Sequence, residues 1–205
     1  MSTQFRFINL IPNVHTLHLY INNTPLLSHV SFKHVSPYIS LPPASYQLSA
    51  ISIIHNLSIT TTVNLLPNKS YTVIVYDNAP DVKMYGLEDH KPTSCLKAIN
   101  LSPHTLDIHF APNNSSTYEI LFSNLLPNKA LSGPCPELLG HLLVTPHESL
   151  VPYKNPEEWL GKQATTFIIY NAKDMELLQI VDGPTIHLTS SLSPMETIAD
   201  NPEHY

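Results

Sequence analysis

The sequence predicts an all-β chain made of two tandem immunoglobulin-like β-sandwich domains, with one short helix in the second. Three observations carry that expectation. Nineteen prolines against five glycines fall between short apolar-alternating runs, where proline punctuates strands and does not interrupt helices. Several runs have the period of two that puts side chains on one sheet face, as in Leu17, Leu19 and Ile21 or Ile59, Thr61, Val63 and Leu65. The opening and closing segments of the first half also recur, in order, in the second.

In chain order, strands are expected near residues 5–10, 16–21, 38–41, 46–51, 59–65, 71–76 and 82–88, with a shorter one near 26–27. Asn22-Asn23-Thr24-Pro25 and Leu66-Pro67-Asn68-Lys69 supply the residues that reverse a chain. Leu66 to Tyr71 resembles the entry to the penultimate strand of a sandwich, where the Tyr71 hydroxyl ties the corner to the backbone; Tyr71 as a plain core aromatic would read the same.

The second half opens with an echo. Ile8-Asn9-Leu10-Ile11-Pro12, continuing through His15 to Tyr20, recurs as Ile99-Asn100-Leu101-Ser102-Pro103, continuing through His104 to His109, and Tyr71 to Asn78 recurs as Thr165 to Asn171. The expected division is residues 1–91, residues 92–189 and a polar tail, 190–205. Leu125-Leu126-Pro127-Asn128-Lys129 repeats the earlier turn almost literally, yet is expected to run into the proline-rich stretch around Cys135 and not into a strand. Asn155-Pro156-Glu157-Glu158-Trp159-Leu160-Gly161 has the cap, first-turn proline and acids, and terminal glycine of a short helix.

Composition narrows the function. Ten basic and sixteen acidic residues give a net charge of -6, and no basic run provides the electrostatic footprint of a nucleic-acid binder. Charged residues make up 13% of the chain, against about 25% in ordinary soluble proteins. No apolar stretch approaches the roughly 20 residues that span a bilayer. Met1-Ser2-Thr3-Gln4 does not open a secretory signal, so the expectation is a protein that stays inside, reaches a surface by another route, or has lost its signal.

Residues 6–12, Arg6-Phe7-Ile8-Asn9-Leu10-Ile11-Pro12, resemble an R-hydrophobic-hydrophobic-[HN]-x-x-P opening strand, and Leu17-His18-Leu19-Tyr20-Ile21-Asn22-Asn23 a V-D-V-Y-hydrophobic-N-G strand. Val35-Ser36-Pro37-Tyr38-Ile39-Ser40-Leu41-Pro42 and Tyr71-Thr72-Val73 are similar to V-S-x-Y-hydrophobic-x-L-P and Y-T-V segments. All four belong to the bacterial domain-of-unknown-function family 4397 (DUF4397). The resemblance covers residues 5–90 well and, in the second half, only the first and last strands. It implies a sandwich, often in tandem copies and in exported or cell-envelope proteins, with no catalytic residues or cofactor to carry over. Asn23 stands where the family has a hairpin glycine, and the missing export signal points to an alternative such as assembly on a spore surface from the mother-cell cytoplasm.

Candidate chemistry is sparse. Twelve histidines invite a metal hypothesis, and Asp107 and His109, expected on one outward strand face, are the candidate pair; solvated strand histidines are the alternative. Cys95 and Cys135 match no redox or zinc spacing and stand as buried thiols or as a disulfide, within the second half or between subunits. No nucleophile elbow or phosphate loop occurs. The expected role is noncatalytic: a structural or interaction protein assembling with itself or docking on an envelope or spore-surface component. The alternative is a small-ligand module, for carbohydrate or peptide, reading through loops 113–117 and 132–137.

Overall fold

The computed structural model describes residues 2–78, 81–89, 96–113, 115, 117–134, 136, 139–149, 157–159, 165–170 and 176–181. Sixteen strands and no helix occur among them. The first eight are β1 (Thr3–Leu10), β2 (Leu17–Ile21), β3 (Thr24–Val30), β4 (Ile39–Leu41), β5 (Ala44–Ser52), β6 (Leu57–Leu65), β7 (Ser70–Asn78) and β8 (Asp81–Asp89). The second eight are β9 (Leu96–Asn100), β10 (Leu106–Pro112), β11 (Glu119–Leu125), β12 (Lys129–Gly133), β13 (Gly140–Pro146), β14 (Glu157–Trp159), β15 (Thr165–Tyr170) and β16 (Glu176–Val181).

Local chemistry explains the sharpest turns. Asn22 and Asn23 both have positive φ, 47° and 64°, the two-residue turn whose twist matches a hairpin. Asparagine adopts that conformation at low cost, so Asn23 serves where glycine is usual.

Two expectations are corrected. Glu157-Glu158-Trp159 is a strand that pairs antiparallel with Gly140–Leu142 of β13. A helix this short gains too little from its caps to persist without packing, and the edge of β13 offers backbone partners instead; the rest of that expected helix, residues 155, 156, 160 and 161, lies outside the described residues. The turn at Leu126-Pro127-Asn128-Lys129 does lead into a strand, β12. Its structural counterpart is the turn at Ser31 to His34: Lys33 and Asn128 have φ of 62° and 57°, and their N–H groups donate to Asn9 and Asn100 carbonyls, each at 2.7 Å. The literal echo of Leu66 to Lys69 is thus displaced from its own structural equivalent.

The strand order is duplicated. Sheets β4-β1-β7-β8 and β3-β2-β5-β6 are matched by β12-β9-β15-β16 and β11-β10-β13-β14, each number raised by eight. In both halves the first strand pairs parallel with the seventh, Arg6 opposite Thr72 and Lys97 opposite Thr166, while the other pairs are antiparallel. Each pair of sheets encloses one apolar core. Phe5, Phe7, Leu17, Leu19, Leu48 and Val73 form the first; Ala98, Leu106, Ile108, Leu125, Phe167 and Ile169 form the second.

A third core joins the halves. Ile8, Leu10, Ile74 and Tyr76 pack with Ile99, Leu101, Ile168 and Tyr170, so the sheets holding β1 and β9 lie face to face and the molecule is four sheets deep. Strand β1 is therefore buried on both faces, Phe5 and Phe7 inward, Ile8 and Leu10 toward the seam, which is why its apolar residues are not confined to alternate positions. The same positions serve from each side. The Tyr76 hydroxyl donates to Asn128 Oδ1 at 2.9 Å; Tyr170, in the equivalent place, donates to Glu176 at 2.7 Å. Glu176 in turn pairs at 3.0 Å with Lys33, the counterpart of Asn128. Lys97 and Asp89, both largely buried, close the seam at 3.0 Å, and the Asp89 carboxylate also accepts the Thr72 and Tyr38 hydroxyls at 2.6 and 3.0 Å. Arg6 covers the Tyr38 ring 4.8 Å from its centroid.

Candidate functional site

Buried polar side chains in this fold first serve the fold. Asn9 is fully buried: its amide donates to the Val14 and Val30 carbonyls at 3.1 and 2.9 Å and its oxygen accepts from Ile11 N–H at 3.0 Å. Asn100 repeats this with His104 and Leu125 carbonyls at 2.7 and 2.9 Å and Ser102 N–H at 2.9 Å, adding the Ser102 hydroxyl at 2.7 Å. Each asparagine ties the loop after the first strand to the end of the third. Sequence reasoning missed this role, although the signal was present in the Asn common to both echoes.

Asp107 and His109 lie two apart on β10, on the face opposite Leu106 and Ile108 as expected, but both are buried, 5% exposed each, which corrects the expectation that this face is open to solvent. The turn after β13 folds over Asp107: its carboxylate accepts from Asn124 N–H, His147 Nδ1 and Glu148 N–H at 2.8, 2.9 and 3.1 Å. Burial alone would raise its pKa; the three hydrogen bonds outweigh burial and hold it below the ordinary carboxylate value. His109 Nε2 shares a hydrogen bond of 3.1 Å with Thr145 Oγ1. Both groups are thus engaged by protein partners, and no cluster of three or more potential metal ligands occurs among the described residues. The Tyr71 hydroxyl accepts from Leu66 N–H at 3.1 Å, while its ring packs on the first core; it is at once a corner tie and a core aromatic. Cys95 and Cys135 lie outside the described residues.

Two surface features remain open to a partner. One is a cleft of about 340 Å³ at the seam, lined by Ile59–Thr61 of β6, Val82–Tyr85 of β8, Tyr76 and Asn128. Burial raises the pKa of Tyr76 and Tyr85, so both phenols stay protonated at neutral pH; they donate to Asn128 Oδ1 and to its carbonyl at 2.9 and 3.1 Å.

The other is an edge. Among the described residues eight strands end the four sheets, and seven of these carry a device that discourages further pairing. Strands β4 and β14 have three residues each. Pro25 and the left-handed His29 (φ 56°) interrupt β3, as Asn124 (φ 58°) interrupts β11. Charges mark β8, β12 and β16. Strand β6, Leu57-Ser58-Ile59-Thr60-Thr61-Thr62-Val63-Asn64-Leu65, has nine residues without charge, proline or glycine. It pairs with β5 over its whole length without a register shift, and its side chains alternate half-buried and exposed. At its start the hairpin tip presents Ile53 and Ile54, 86% and 76% exposed. The sequence contained this feature as a threonine-rich alternating run, but which strand ends a sheet is set by topology.

No helix long and apolar enough to cross a membrane occurs among the described residues. No curated protein matches the chain. The family described as Domain of unknown function (DUF4397) matches residues 3–111, more than half of the chain's 205 residues, running from β1 through β9 and across most of β10. The opening Arg-to-Pro strand, the Asn22-Asn23 hairpin and the Tyr71 strand that carried the resemblance all fall within that match, and the chain belongs to the DUF4397 family.

Proposed function

We propose that this chain is a noncatalytic structural or interaction protein that works by strand addition at an exposed sheet edge, assembling with itself or docking on an envelope or spore-surface component. The observation that carries the reading is the unguarded β6 edge, nine uncharged residues long, in a molecule whose other sheet edges are short, interrupted or charged. A free edge offers a row of unpaired backbone donors and acceptors, and strand addition satisfies them at little entropic cost because the template is already extended. The buried side chains with the richest hydrogen bonding, Asn9, Asn100 and Asp107, serve the loops around them.

A second reading rests on the seam cleft. Its hydroxyl-rich lining, with Thr60, Thr61, Tyr76, Tyr85 and Lys83, suits a small polar ligand such as a carbohydrate. Light scattering after size exclusion, over a range of concentrations and with and without reductant, separates the two. The assembly reading expects concentration-dependent dimers or larger species; if reductant dissolves them, Cys95 or Cys135 is the tie. A monomer under every condition would overturn self-assembly, leaving a different surface partner or a cleft ligand.

A further inference from the structure

Extending that reading, on which it rests, we infer that the occupant of the β6 edge is β6 of a second copy, paired antiparallel about a two-fold axis through Thr61. Strand pairing within the sheet decides which backbone groups of β6 face outward. Gln47 of β5 turns its N–H and C=O toward Asn22 on the β2 side, at 2.9 and 2.8 Å. In an antiparallel ladder successive residues alternate direction, so Tyr46, Leu48 and Ala50 face β6. Their partners Val63, Thr61 and Ile59 spend their backbone groups on β5, and Ser58, Thr60, Thr62 and Asn64 direct theirs outward from the sheet.

The strand is close to a palindrome about its centre. Reversed against itself around Thr61, it places Leu57 opposite Leu65, Ser58 opposite Asn64, Ile59 opposite Val63 and Thr60 opposite Thr62. Half-buried Ile59 meets half-buried Val63, half-buried Leu57 meets the buried Leu65, and exposed small polar residues meet their like. Two further conditions hold together. The pairs formed by outward-facing backbone are Thr60 with Thr62 and Ser58 with Asn64, so each exchanges two hydrogen bonds across the axis, while Thr61 meets its own copy as a non-hydrogen-bonded pair. With no charge anywhere in the strand, no like charges meet, which a two-fold contact otherwise imposes on every charged residue near its axis. The product is a continuous eight-stranded sheet running through both molecules, since each contributes four strands, β3-β2-β5-β6.

The register can be tested by charge. Thr60→Lys with Thr62→Lys puts ammonium groups opposite each other twice and is expected to weaken the dimer about tenfold or more. Thr60→Glu with Thr62→Lys sets opposite charges face to face twice in this register alone, and is expected to keep the dissociation constant within about tenfold of the unmodified chain. Both positions are exposed, and both variants give up the same Thr60–Ser49 hydroxyl contact at 2.9 Å, so at a concentration where each is monomeric the two should unfold at the same denaturant midpoint as each other. Amide exchange on the unmodified chain adds a readout free of mutation: the Ser58, Thr60, Thr62 and Asn64 amides become protected as concentration rises through the dimerisation range. If both variants stay dimeric, or those amides stay unprotected in the dimer, association runs elsewhere, with the Ile53-Ile54 tip the next place to probe, and this pairing is wrong while self-assembly stands. Loss of the dimer in both variants rejects the Thr61 axis. A parent chain monomeric at every concentration removes the pairing and the self-assembly reading together.

Discussion

The two halves of the molecule share one strand order yet fill one corner with different chemistry. In the first, the residue after the start of β2 is His18, whose ring meets that of His29 edge-on at 5.0 Å; in the second the same places hold Asp107 and Asn124, joined by a hydrogen bond of 2.8 Å. His29 and Asn124 occupy the same left-handed backbone position, φ 56° and 58°. The bulge belongs to the fold, while the polar fastening belongs to the half. Where β13 is followed by a turn that folds back, a carboxylate is buried and saturated; where it is absent, a half-exposed histidine suffices. By contrast Asn9 and Asn100 keep the same residue and the same pattern of bonds, from the amide to the loop and to the end of the third strand, and to the oxygen from the N–H two residues on.

The comparison can be broken hardest at the shared asparagines. Asn9→Ala and Asn100→Ala each strand several buried backbone groups, at about 1–3 kcal/mol apiece, so each should cost about 3 kcal/mol or more in denaturant unfolding, with Asn100→Ala the larger because Ser102 also loses its partner.

Asymmetry between the corners predicts the next effect. Asp107→Ala should cost about 2–4 kcal/mol, whereas His18→Ala should stay within about 0.5 kcal/mol. The same difference has a pH signature. A carboxylate whose folded pKa is depressed contributes stability that is fully present above its unfolded value, about 3.9, and is lost as pH falls through the folded value. The stability gap between the parent and Asp107→Asn should therefore be widest near neutrality and shrink below about pH 4, as followed by urea midpoints across pH. A gap independent of pH would mean that the fold leaves the Asp107 pKa at its unfolded value. The smallest effect sharpens the bulge itself: His29→Asn, placing the residue found at Asn124, should raise stability by about 0.5–1 kcal/mol because asparagine tolerates the left-handed conformation better.

Much of this architecture was legible in the sequence. All eight strands of the first half were visible, since proline and asparagine bound them and apolar residues alternate within them. Patterning failed where pairing overrode local signals. The cap, proline and acids around Glu157 describe a helix as seen by a peptide alone, and the open flank of β13 made it a strand. Asp107 and His109 were assigned outward by strict alternation from Leu106 and Ile108, which holds for the direction of the side chains but says nothing about a turn arriving from forty residues later to cover them. The unguarded edge was hidden for a similar reason: residues 59–65 read as a strand, but that no fifth strand lies beyond it among the described residues is a fact of topology.

The third core carries a consequence for a chain that holds only one such unit. Ile8, Leu10, Ile74 and Tyr76 on one side and Ile99, Leu101, Ile168 and Tyr170 on the other make the contact of a homodimer whose two protomers have been spliced into one polypeptide. Each side of that contact is covered by the other, so a chain cut down to one sandwich would carry an oily flank into water. Severed after the first eight strands, the fragment should recover its missing neighbour by coupling to itself, trading a covalent companion for a borrowed one.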